Sequence, residues 1–218
     1  MTTRRRIICS ILSLFFLSSC AVFAPTPADR IIRVKVLADV SFRARNPGWA
    51  AEARGLIEAA SDYYEREFGV QFVTENVVAW PAQERIHSTL DLLVRIKQDF
   101  PSQKRDGSYD LIVAFTAEGI SRYFMAGRPR VDRIGNCQQG LGNYVVAPVN
   151  KLFRYTGAHA ELEPDVIALI HELAHIFGAE HVDDRASIMY EDLGYRTEFD
   201  DKNRRIIAKN RLCPFARD

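Results

Sequence analysis

PDVIALIHELAHIFGAEHVDDRASIMY, residues 164–190, decides the fold of this chain. Pro164 and Asp165 suit a first helical turn, and Val166, Ile167, Leu169, Ile170, Leu173, Ala174, Ile176 and Phe177 then surround the axis with apolar side chains. A helix that is apolar all round is a buried one. Within it His171 and His175 stand one turn apart, so both rings project from one face, close enough to share an ion. Glu172 lies one residue round from the first histidine, too far about the axis to share that ion but able to reach a water on it. Gly178 supplies the left-handed residue that ends a helix, letting the chain reverse and return His181 as a third nitrogen ligand.

Three neutral imidazoles around Zn2+ leave a fourth position open, and an ion with neutral ligands lowers the pKa of a bound water toward about 7. Glu172 is then placed as general base, and the ion steadies the oxyanion of an attacked carbonyl. That is the chemistry of amide hydrolysis. The plainer reading of the same residues is a buried helix whose histidines bond to backbone or solvent. Against it, a glutamate in so apolar a helix is costly without a charged partner. His87, on a polar helix face, and His159, in a loop, read as solvated side chains.

The pattern His171-Glu172-x-x-His175-x-x-Gly178-x-x-His181, with Met189 eight residues on, resembles the zinc signature and Met-turn of the metzincin metallopeptidases. The resemblance implies three zinc histidines, Glu172 as base, and Met189 in a tight turn forming an apolar floor beneath the metal. Val182 departs from the residues that metzincin branches place after the third histidine, and Asp183 and Asp184 follow one position late. Ser187-Ile188-Met189-Tyr190 is similar to matrixin and astacin turns, and Glu191 stands where astacins and serralysins put a metal-reaching tyrosine. By resemblance, residues 190–199 line the pocket beyond the scissile bond.

Upstream, residues 31–37 alternate as a first strand, and Asn46-Pro47 offers an N-cap and first residue for a helix carrying Trp49, Ala53, Leu56, Ile57, Ala60, Tyr64 and Phe68. Gly69 stops that helix. Residues 70–80 form one long or two short strands, residues 84–100 a second helix, and residues 109–115 a continuous apolar strand suited to a covered sheet. Residues 119–143, rich in glycine and arginine, predict loops and one irregular edge strand over 131–137, before a strand at 143–149. An amphipathic helix over 200–211 closes the chain. The order implies an α/β (α+β) single domain over 31–218, with a mixed, mostly parallel twisted sheet. The metzincin resemblance adds an antiparallel edge strand, a long active-site helix and a C-terminal helix. A helix between the second and third strands is similar to the adamalysin (reprolysin) branch.

Arg4, Arg5 and Arg6 precede an apolar run over 7–17, which is the pattern of an export signal. Leu17-Ser18-Ser19-Cys20 resembles the bacterial lipobox, which implies a signal over 1–19, a lipidated Cys20, a tether over 20–30 and anchorage in the cell envelope. A secretory cut after Ala24 is the alternative. Removing residues 1–19 takes three of the 29 basic residues and none of the 28 acidic ones, leaving 26 against 28, a net charge of −2. Such a balance speaks against a nucleic-acid partner.

Cys137 and Cys213 remain as a pair in an oxidising compartment, bridged or as two buried thiols. The adamalysin resemblance ties a cysteine after the edge strand to one near the C-terminus, where these two stand. Two functions follow: a monomeric, membrane-held zinc endopeptidase acting on protein or peptide, or an idle zinc lipoprotein used in binding or assembly. Glu172 favours the enzyme, since a binder has no use for a base.

Overall fold

The computed structural model describes residues 28–81, 88–102, 107–117, 130–158, 162–192 and 194–217. The expected signal, Cys20, most of the tether, His87 and His159 lie outside the described residues.

The first strand, β1 (Arg30–Ala38), leads directly into a short helix, α1 (Val40–Arg45). The expected helix start at Asn46-Pro47 is displaced. Asp39 caps α1, its carboxylate accepting from the Phe42 N–H at 2.7 Å, and Asn46 ends that helix instead of starting the next. The Asn46 side chain instead accepts from the Gly48 N–H at 2.9 Å, and α2 (Trp49–Phe68) begins after Gly48. Gly69 stops α2 in the left-handed conformation, φ 65°, as the sequence predicts. A single long strand follows, β2 (Val70–Ala79), with a bulge at Glu75, since Val34 pairs with Thr74 and Lys35 with Asn76.

Helix α3 (Thr89–Asp99) starts at Ser88, whose hydroxyl accepts from the Asp91 N–H; residues 84–87 of the expected helix lie outside the described ones. Then come β3 (Leu111–Thr116), β4 (Tyr144–Pro148), α4 (Pro164–Ile176) and α5 (Asp201–Asn210).

The strands lie in the order β2-β1-β3-β4, all neighbours parallel. Parallel neighbours need crossovers, and the helices in those crossovers cover both faces. Ile32, Val34, Val36, Leu111, Val113, Phe115 and Val145 face α2 and α4, whereas Leu37, Ile112, Ala114, Tyr144 and Val146 face α3. Burial on both sides explains why β3 and β4 are apolar at successive positions rather than alternate ones.

The expected antiparallel edge strand shrinks to one bridge, Val131 to Val145, flanked by Val146 N–H donating to the Arg130 carbonyl at 2.7 Å. The reason is local. Asp132 turns its carboxylate onto the N–H groups of Asn143 and Tyr144, and Gly135 then leaves the sheet to donate its N–H to the His175 carbonyl.

That departure serves α4. A helix C-terminus leaves carbonyls without partners, and here the N–H groups of Gly135 and Gly142 and the amide of Asn210 satisfy His175, Ile176 and Phe177. A Cβ at Gly135 would lie 1.8 Å from the Ile176 carbonyl oxygen, so only glycine lets the loop come this close. The Cys137–Cys213 disulfide joins the same loop to the segment after α5 across 76 residues. Among the described residues no helix is long and apolar enough to cross a membrane.

Replacing Cys137 and Cys213 by serine should lower unfolding stability by about 2–4 kcal/mol, the usual effect of opening a long disulfide loop. Urea titration followed by circular dichroism measures it; an unchanged midpoint would mean that the bridge closes no entropy-rich loop in the unfolded chain.

Candidate metal centre

Helix α4 is buried at every residue from Asp165 to Ile176, so its polar side chains must find partners inside the protein. His171 and His175 are 3% and 7% exposed. Each points its Nδ1 at a backbone carbonyl, Ile188 for His171 and Ala179 for His175, both at 2.7 Å. A carbonyl only accepts, so each ring carries its hydrogen on Nδ1 and leaves Nε2 as a bare lone pair.

The bare nitrogens converge. His175 Nε2 lies 3.2 Å from His171 Nε2, which lies 3.1 Å from His181 Nε2, and the three ligand atoms fall within 4.8 Å of one another. Two unprotonated lone pairs at that distance repel unless a cation sits among them. A tetrahedral zinc ion with bonds of about 2.0–2.1 Å sets its ligand nitrogens about 3.3–3.4 Å apart, so the donor set fits such an ion in number and chemistry, and two of its separations lie close to that spacing. Among the described residues this is the one histidine, cysteine or carboxylate cluster that could hold a metal.

Burial also keeps the rings neutral. It lowers the pKa of His171 from 6.5 to about 4, against the opposing bond to Ile188. The pKa of His175 falls likewise to about 4, first through burial and then through the positive potential of His171.

Gly178 has φ 100°, and a Cβ there would meet the Gly135 carbonyl oxygen at 2.3 Å. The residue is therefore held to glycine twice, by backbone conformation and by contact. From it the chain turns, Ala179 supplying the carbonyl for His175, and reaches the exposed His181.

Met189 is fully buried, and its N–H donates to Ser187 Oγ while its carbonyl accepts from the Val182 N–H. Ser187 Oγ donates in turn to Asp200, the cap of α5, at 2.7 Å. Since the Ile188 carbonyl receives His171, the turn before Met189 lies directly against the histidines. Asp183 and Asp184 are exposed, as is Glu191. A cavity of about 240 Å³ opens beside His181, lined by Val182, Asp183, Tyr190, Glu191 and Asp192.

Glu172 is buried among these groups and does have a charged partner. Arg130 Nη1 donates to Glu172 Oε1 at 2.8 Å, with the two side chains 9% and 6% exposed. Burial raises the carboxyl pKa of Glu172; Arg130 opposes this most, followed by His175 and His181. The sequence carries a signal for a partner, in the cost of burying Glu172 and the arginine-rich stretch before Val131, but no spacing rule singles out one arginine 42 residues away. Gly135 and the two histidine-orienting carbonyls are likewise absent from the sequence reading. Each is defined by a backbone approach rather than by a residue type.

A family model described as metallo-peptidase family M12 matches residues 28–217. Among solved structures, the chain is similar to archaemetzincin from Methanopyrus kandleri, with 20% identity, a TM-score of 0.53, and alignment over 82% of this chain and 94% of that one.

Because the folded-state pKa values of His171 and His175 lie at about 4 against 6.5 for an exposed ring, the unfolded chain binds more protons between these values. Chelator-stripped protein should therefore lose stability as pH falls from 6.5 towards 4, with no contribution to the slope from these rings above that window. Thermal melts over that range check this, and a steeper slope in His175→Ala than in wild type would contradict it.

Proposed function

The chain belongs to metallo-peptidase family M12, and from that premise we propose that it is a zinc endopeptidase of metzincin type in which Glu172 is the general base. One observation carries the reading: three histidines each bring a ring nitrogen to one point, and a buried carboxylate stands on the helix that carries the first two. A zinc ion held by His171, His175 and His181 would supply Lewis acidity to a scissile carbonyl and acidify a water. The remaining tasks belong to the chain. Glu172 accepts the proton of the attacking water; the carbonyls of Ile188 and Ala179 hold two ligand rings in register; Met189 provides the apolar floor.

The substrate in this reading is an extended stretch of protein or peptide lying along the sheet edge beside Val131 and β4, where main-chain pairing provides affinity. The cavity beside His181 receives the side chain beyond the cut bond. We also propose export and lipid anchorage of a monomer in a bacterial envelope through Cys20. The arginines at 4–6, the apolar run at 7–17 and the lipobox support this, and a disulfide suits an oxidising compartment. The balanced charge of residues 20–218 speaks against a nucleic-acid partner.

Glu172→Gln retains an oxygen for Arg130 while removing the base. It should keep one zinc per chain, measured by atomic emission, and lose at least about a hundredfold in peptide cleavage. His175→Ala should lose both metal and activity. Zinc retained with no cleavage of a peptide library even by wild type would favour the idle binding lipoprotein over the enzyme.

Labelling with a radioactive fatty acid in a bacterial host should mark the wild type and not Cys20→Ala. Equal labelling of both would place the lipid elsewhere, and no labelling of either would support the secretory cut after Ala24.

A further inference from the structure

We propose that Arg130 is a positioning residue for hydrolysis: its guanidinium fixes one oxygen of Glu172 and so sets the direction in which the other accepts the proton of water. The proposal rests on the peptidase reading above and adds to it a residue from outside the histidine motif.

The geometry has three parts. Arg130 Nη1 binds Oε1 of Glu172 at 2.8 Å, and among the described residues no donor is bonded to Oε2. Both ends of the pair are tied by backbone hydrogen bonds to the sheet or its covering helix. The Arg130 carbonyl accepts from the Val146 N–H, and Val131 bridges Val145, so the arginine rises from the sheet edge, whereas Glu172 sits in the middle of the buried α4. Finally, both side chains are nearly inaccessible, 9% and 6%, so the ion pair meets little competing water.

A glutamate has several side-chain torsions to freeze before it can take a proton from one fixed direction. Tying one oxygen to an immobile guanidinium removes most of that freedom during folding, so the reaction does not have to. Arg130 is already engaged with Glu172 and almost wholly covered, which distinguishes it from a residue that receives substrate. An arginine suits the task better than a lysine, because its planar fork fixes orientation where an ammonium gives only charge.

The test uses the full exported chain with zinc bound and a peptide cut by wild type, and compares kcat and KM for wild type, Arg130→Met and Arg130→Lys. Arg130→Met should lower kcat by about a hundredfold or more, within the range general base catalysis contributes, with KM held within about threefold and zinc content unchanged. Arg130→Lys should recover at least about a tenfold part of that loss while staying below wild type. An unchanged kcat in Arg130→Met, or a loss confined to KM, would overturn the assignment. Should Arg130→Met fail to fold, Arg130→Lys decides alone: reduced kcat at constant KM supports the role, and wild-type kcat overturns it. Wild type that cuts no peptide retires the peptidase reading and this role together, whereas wild type that cuts beside an equally active Arg130→Met retires only the role of Arg130.

Discussion

Two neutral imidazoles with bare nitrogens 3.2 Å apart repel each other, and the folded chain holds them there. It does so through the opposite nitrogens. Ile188 and Ala179 each accept an Nδ1–H at 2.7 Å, which fixes both the tautomer and the ring plane. Those carbonyls come from irregular chain, so the turns that present them are part of the site as much as the rings are. A cation among the three nitrogens would convert the repulsion to attraction, and its binding would be coupled to the turns that carry Ile188, Ala179 and His181.

The same constraint explains how a chain with so much irregular structure is ordered. Helix α4 is buried all round, yet it carries His171, Glu172 and His175 in its last two turns. Each needs a polar partner, and each takes it from a different segment: the turn before Met189, the sheet edge at Arg130, and the reversal after Gly178. The end of the helix repeats the pattern with backbone, drawing in Gly135, Gly142 and Asn210. One helix thus ties together the turn before Met189, the reversal after Gly178, the stretch from Arg130 to Gly142 and the end of α5, and the Cys137–Cys213 bridge closes the group from outside.

Much of this was legible in the sequence where it depends on periodicity or on a special residue. The two-sided burial of β3 and β4 leaves unbroken apolar runs, α2 shows its face at three- and four-residue spacings, and Gly69 and Gly178 mark helix ends that require their conformation. The histidines declare themselves because metal ligation needs fixed residue types at fixed spacing. Helix α1 does not, since a six-residue element that buries only Phe42 has no period to detect. The edge strand is shorter than its composition suggests because Asp132 and Gly135 end it through bonds to β4 and to the end of α4, which no local pattern records. Arg130 is hidden for the same reason: charge patterning is informative along a helix, not across a gap of 42 residues.

Arg130 and Glu172 also bear on what the fold is built for. Taking two charges out of water is expensive, and replacing such a pair with apolar side chains of similar size is often neutral or stabilising. The surroundings offer ample apolar packing: Val131, Leu169, Ile170, Leu173 and Met189 belong to one continuous core. Stability alone would therefore be served as well by a hydrophobic pair at these positions. It would not be served by half a pair, because removing either partner strands the other as an uncompensated buried charge. With Glu172 in the role of base proposed above, a cation beside its carboxylate becomes a structural necessity. In the role proposed for Arg130, a cation tied to β4 through its own carbonyl would serve orientation as well as charge balance.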